Sequence, residues 1–238
     1  MEVLAGKSWI WLMPYQMNSN NKLISVKGRE RPLSKKQKQV FLSLSKHKFD
    51  FSVLRETDYS KKNKIFLEIG FGSGEIIFKE AKKNPNNIYI GIEYYRRGVA
   101  QLLKKIQDHN LKNIKIFHGD AHRFLKNFSG IFFDEVWLFF PDPWPKKRHE
   151  KRRFIQKESI NKLYEVIKPK GNLYISSDHK SYIAWTLILF NQDDKFEWLA
   201  ENHLDWENPH ADYQGSRYEV KNLKKNRMPY FLKFKKLN

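Results

Sequence analysis

The stretch "KIFLEIGFGSGEIIFKEAKKN", residues 64–84, decides the architecture. Lys64 to Gly70 is a short apolar run ended by glycine, the pattern of a buried strand, and from Ser73 to Asn84 the pattern becomes helical. Gly70, Gly72 and Gly74 fill the turn between them, where glycine lets the chain turn tightly and approach a ligand closely. Further along, "IYIGIE" (88–93), "NIKIFHGD" (113–120), "DEVWLFF" (134–140) and "GNLYISSD" (171–178) are expected as strands. Val99, Leu102, Leu103 and Ile106 recur at i, i+3, i+4 and i+7, and Ile160, Leu163, Tyr164 and Ile167 mark a second helix face. "SYIAWTLILF" (181–190) is expected as a largely buried helix, and "FEWLA" (196–200) and "YFLKFKK" (230–236) as closing strands. The alternation predicts an α/β fold: a mostly parallel sheet, helices on both faces and an antiparallel C-terminal strand.

Composition narrows the partners. The chain of 238 residues carries 45 Lys and Arg against 26 Asp and Glu, a formal charge of +19, which points to a polyanion such as nucleic acid. With no cysteine, disulfides, thiolate metal sites and a cysteine nucleophile are excluded. His118, His122, His149 and His179 show no ligand spacing, so no metal is expected. No apolar run reaches the length of a membrane span, and a cytoplasmic location is expected. Residues 22–48 hold nine Lys or Arg and one acid, while residues 193–207 hold six acids and one Lys. Residues 1–50 are expected to form a basic, partly flexible extension with a short helix near Ser34, and residues 51–238 the main domain. "MEVLAGKSWIWLMPYQM" lacks a signal-peptide cleavage site, and Met17 is a second possible start.

In parallel α/β sheets, ligands bind at the carboxyl ends of the strands. Glu68, Glu93, Asp120, Asp142 and Asp178 each lie near such an end and are expected to converge on one crevice. The glycine turn departs from a dinucleotide fingerprint, because Glu75 stands where the third glycine belongs, and acids there disfavour a pyrophosphate. Glu93 is placed to accept hydrogen bonds from ribose hydroxyls and Asp120 to meet an adenine edge. The ligand described by three acids around a G-x-G-x-G turn is a nucleoside with a positive centre, S-adenosyl-L-methionine.

"LEIGFGSGE", "IGIEYYRRG", "GDA", "PDPWPKKRHEKRR", "SSD" and "GSRYE" resemble, in order and spacing, the motifs of bacterial tRNA (guanine-N7)-methyltransferases. The resemblance covers roughly residues 25–235, and its specific element is the Pro-Asp-Pro-Trp block with the basic run behind it. It implies a Rossmann-like methyltransferase fold and methylation of the variable-loop guanine, position 46, of tRNA. It implies that Glu68, Gly70, Gly72, Gly74, Glu93, Asp120 and Asp142 line the methyl-donor site. It places Lys146, Asp178, Ser216, Arg217, Tyr218 and Glu219 against the substrate, and Arg148, His149, Glu150, Lys151, Arg152 and Arg153 against RNA. Ser216 stands where the family usually has threonine, and Glu150 is an acid inside the basic block.

Guanine N7 carries a lone pair and no proton, so the reaction needs orientation and negative charge rather than a general base. Asp142, held between Pro141 and Pro143, is assigned that role, and Trp144 either stacks on a base or wedges the loop. Asp178 could equally cap the following helix. Other readings are a methyltransferase acting on another RNA, on DNA or on a small molecule, and a non-catalytic RNA-binding protein on the same fold. No obligatory protein partner is evident, and monomer and homodimer are both open.

Overall fold

A computed structural model of the protein describes residues 32–50, 64–128, 130, 133–209 and 228–237. The first strand, β1 (Ile65–Ile69), is buried along its whole length and pairs in parallel with β2 (Ile88–Glu93) and β4 (Phe133–Phe139). β3 (Ile114–His118) pairs with β2, and β5 (Ile167–Ser177) with β4, also in parallel. β7 (Tyr230–Lys236) runs antiparallel to β5 and to the short edge strand β6 (Phe196–Trp198). The order is β3-β2-β1-β4-β5-β7-β6. The chain therefore reverses its direction of travel across the sheet between β1 and β4, and the loops after both strands open at the same edge.

Period-two alternation sorts the strand residues into two cores. Ile65, Leu67 and Ile69 pack with Phe124, Ile160, Leu163 and Tyr182, on the face covered by α5 (Ala121–Asn127), α6 (Lys157–Val166) and α7 (Lys180–Asn191). Phe66, Tyr89 and Trp137 pack on the other face under α3 (Glu75–Lys83) and α4 (Arg96–Asp108), through Ile77, Val99, Leu102, Leu103 and Ile106. The helix periodicity over 99–106 is therefore a core stripe.

Two short helices precede this domain, α1 (Lys35–Phe41) and α2 (Leu44–His47). Ser34 caps α1 in a capping box with Gln37. Arg96 of α4 lies over the Phe41 ring at 5.1 Å, and the Phe49 amide donates to the Ile116 carbonyl at 2.8 Å. Leu33 and Phe49 are buried, so residues 33–49 pack along the β3 side of the sheet.

Two elements differ from the sequence expectation. α5 has no run long enough to announce itself; it forms because Asp120 caps it, accepting from the Arg123 amide at 2.8 Å, while Phe124 and Leu125 are buried. α7 buries Tyr182, Ile183, Thr186 and Phe190, but Ile188 is 56% exposed, because one side of the helix lies on the sheet and the other faces outward. Among the described residues no helix is long and apolar enough to cross a membrane.

Candidate active site

The loop after β1 is built on three left-handed glycines, with φ of 73°, 56° and 69° at Gly70, Gly72 and Gly74. A side chain at Gly70 or Gly72 would meet nothing within 4 Å, so the loop faces open space there. At Gly74 a Cβ would sit 2.8 Å from Leu102, and at Gly98 only 2.2 Å from the Gly72 carbonyl oxygen. Gly98, which sequence reasoning assigned no role, is thus the residue that lets α4 approach the loop. Its signal was present in "YYRRG", a glycine one turn into a helix where propensity disfavours it.

Glu93 organises the loop from the neighbouring strand. One carboxylate oxygen accepts from the Gly72 amide at 2.7 Å and the other from the Tyr95 amide at 2.8 Å. A carboxylate has about four acceptor positions, and the amides of Tyr95, Gly72 and Tyr94 act on this one, so acceptor capacity is left on it. Burial raises the Glu93 pKa above the usual value, the amides of Tyr95 and Gly72 pull it back, and the Asp142 charge raises it further.

Glu68 points elsewhere. Alternation along β1 puts it on the Phe66 face, where it is 3% exposed beneath α3 and accepts from the Ile77 amide at 3.0 Å. Desolvation raises its pKa to about 8; the Ile77 amide lowers it, Glu75 and Glu93 raise it and Lys105 lowers it. The carboxyl thus underlies the glycine loop. Asp120 spends one oxygen on capping α5. Asp178 follows β5 directly and is half-buried, and the N-cap position of α7 is His179, without a cap bond from its own side chain.

Asp142 sits in the loop after β4, exposed at the crevice, with its pKa raised by desolvation from the surrounding protein. The loop is bracketed by two non-glycine residues in the left-handed region, Phe140 at φ 50° and Trp144 at φ 41°. Such conformations cost on the order of 1–2 kcal/mol each and persist only where neighbours impose them. The Phe140 amide is held by the Ser176 carbonyl at 2.9 Å. One face of Trp144 is taken by Arg152, 5.0 Å from the ring, and His149 meets it edge-on at 5.7 Å.

Behind this loop the basic run forms a 3-10 helix, Lys147–Arg152, with Lys146 as its N-cap. Lys146, Lys147, Arg148, Lys151 and Arg152 are exposed. The His149 pKa is lowered by desolvation and by Arg152, Arg148 and Lys146. Two members of the run are corrections to the sequence expectation. Arg153 is 2% exposed, so its guanidinium is not open to a phosphate, and Glu150, half-buried, pairs with it at 3.4 Å. The acid inside the basic block is there to neutralise a buried arginine. Ser216, Arg217, Tyr218 and Glu219 lie outside the described residues. An apolar groove lined by Leu187, Ile188, Phe196 and Trp198 lies at the other end of α7 and contains none of these groups. Among the described residues no cluster of His, Asp or Glu could hold a metal ion.

A mostly parallel sheet with a glycine loop after its first strand, an acid ending the second and a further acid after the fourth is the arrangement of Rossmann-like methyltransferases. Solved structures of that class superpose on most of the chain. A crystal structure of an rRNA methylase from Streptococcus thermophilus does so with a TM-score of 0.50 and 12% identity, covering 87% of this chain and 100% of that one. The precorrin-6y C5,15-methyltransferase of Geobacter metallireducens GS-15 has a TM-score of 0.50 and 15% identity, covering 88% and 94%. Residues 62–232 match the family model described as "Putative methyltransferase". Similar proteins narrow the class. A tRNA (guanine-N(7)-)-methyltransferase of Bartonella henselae is 39% identical over 179 residues, 74% of this chain and 77% of that protein. One from Rhizobium johnstonii is 36% identical over 174 residues, covering 73% and 75%. The chain belongs to the tRNA (guanine-N7)-methyltransferase family.

Proposed function

We propose that the protein transfers the methyl group of S-adenosyl-L-methionine to N7 of a guanine in tRNA, the variable-loop guanine in particular. The observation that carries this reading is Glu93 tied to the glycine turn through the Gly72 amide, with Asp142 exposed in the loop after β4 and five exposed cations directly behind it. The residues fit the methyl donor. The turn is open above Gly70 and Gly72, Glu68, Glu75 and Glu93 surround it with Lys105 as a cationic neighbour, and Glu93 keeps acceptor capacity for a ribose hydroxyl.

When bound, S-adenosylmethionine supplies an electrophilic sulfonium methyl. Gly70 and Gly72 let the backbone approach it, Glu93 accepts from its ribose, and Glu68 supports the loop from below through the first turn of α3. Asp120 keeps one oxygen for an adenine edge. Asp142 holds the guanine in line with the methyl. Its carboxylate also faces the positive charge that spreads into the purine as the N7–carbon bond forms and the carbon–sulfur electron pair stays on sulfur. No proton leaves N7, so Asp142 acts by charge and orientation. Lys146, Lys147, Arg148, Lys151 and Arg152 hold phosphates and set register rather than choose the base. Asp178 is assigned to the guanine by the resemblance, as are Ser216, Arg217, Tyr218 and Glu219, which lie outside the described residues.

Nucleoside analysis of tRNA after incubation with protein and labelled donor tests this. Label in 7-methylguanosine is expected. Label in another nucleoside, or in duplex DNA alone, would overturn it.

A further inference from the structure

We propose that Arg153 is a positioning residue for the methyl transfer, clamping the Pro141–Trp144 loop and tying the RNA-facing turn to it; this rests on the function proposed above. Arg153 donates through Nε to the Pro143 carbonyl at 3.0 Å and through Nη2 to the Trp144 carbonyl at 3.4 Å. The same nitrogen reaches the Ser181 hydroxyl at 3.5 Å, on the first turn of α7 just after Asp178. Nη1 pairs with Glu150 on the 3-10 helix. The flat side of the guanidinium lies 5.2 Å from the Trp185 ring, and the Trp185 indole donates to the Ile155 carbonyl at 2.8 Å. One buried side chain thus joins the loop bearing Asp142, the helix after Asp178 and the turn bearing the exposed cations.

The geometry requires such a clamp. Pro141, Pro143 and Pro145 have no amide hydrogen, so this loop has few donors with which to hold itself. Trp144 is in the left-handed region, and the carbonyls of Pro143 and Trp144, one before and one after its Cα, both accept from Arg153. A planar fork satisfies two carbonyls at once, while an ammonium is a point charge that cannot span both in one plane. Arg152, the neighbour in sequence, points outward over the Trp144 ring and has a different task. Phosphate contacts made by the turn therefore bear on the loop that carries Asp142 through Arg153 and Glu150.

The test compares Arg153→Lys, Arg153→Gln and Arg152→Gln in the full chain. Steady-state methylation of tRNA is measured over a range of salt, with thermal unfolding and limited tryptic cleavage of the 146–152 turn measured alongside. Both Arg153 variants are expected to fold, to lose at least tenfold in kcat at saturating tRNA, and to keep the slope of log KM against log salt. Arg153→Lys, which retains the charge beside Glu150, should lose less than Arg153→Gln, and cleavage of the turn should be faster in both. Arg152→Gln should instead raise KM and flatten the salt slope by about 0.7–0.9, the contribution of one phosphate. A wild-type kcat in Arg153→Lys would overturn the assignment, as would a flattened salt slope in either Arg153 variant. Failure of both to fold would make Arg153 a core residue only. If the wild-type protein methylates no tRNA, the functional reading fails, and the cleavage rates still decide whether the clamp exists.

Discussion

Replacing Glu68 by Gln tests the buried carboxyl beneath the glycine loop. Its folded-state pKa is about 8 against an ordinary 4.5, with desolvation the leading cause. The shift is upward, so the folded state binds the extra proton and stability falls as pH rises between the two values. One pKa unit corresponds to about 1.4 kcal/mol. Integrated from pH 5 to pH 9, the carboxyl withdraws folding stability on the order of a few kcal/mol, more of it below pH 7 than above. Gln keeps the oxygen that accepts from the Ile77 amide and cannot ionise. Urea unfolding at pH 5, 7 and 9 without methyl donor measures both proteins. The expected result is a wild-type stability that drops faster with pH than the variant's, the two differing by several kcal/mol over the range. Identical pH dependence would refute the argument, because it would show that Glu68 titrates alike in both states.

Glu93→Ala should weaken binding of S-adenosylmethionine much more than binding of tRNA, measured by calorimetry; in the wild type the donor affinity should fall as pH drops through the raised Glu93 pKa. Asp142→Asn should leave tRNA affinity nearly intact and slow single-turnover methyl transfer by a factor on the order of 10² to 10³, with little change between pH 6.5 and 8.5; a rate climbing with pH across that range would point to a required general base. Gly98→Ala drives a Cβ to 2.2 Å from the Gly72 carbonyl, so the α4 N-terminus must shift; donor affinity should fall at least tenfold, read by calorimetry, even if the unfolding temperature drops only slightly.

The strand and helix order, the glycine turn and the acids at strand ends were legible in the chain because each is a local pattern. A period of two or 3.6 residues, or a glycine at a forced turn, states its own structure. So was the surface role of Lys146, Lys147, Arg148, Lys151 and Arg152, since a dense run of like charge has no cheap place in a core. Other assignments waited for the tertiary structure. Arg153 and Arg152 are the same residue type at adjacent positions, yet one is buried and one exposed. Only the carbonyls of Pro143 and Trp144, the Glu150 carboxylate and the Trp185 ring, brought together by the turn and by α7, decide between them. Glu68 ends a strand beside the glycine turn, and only the pleat and α3, a helix that begins seven residues later, decide that its carboxyl is buried and accepts from the Ile77 amide. Burial and pairing depend on what arrives from elsewhere in the chain. The sequence by itself therefore determined the architecture and the chemical class of the site, and the packing of loop, turn and helix decided which arginine faces solvent and which is buried against the loop.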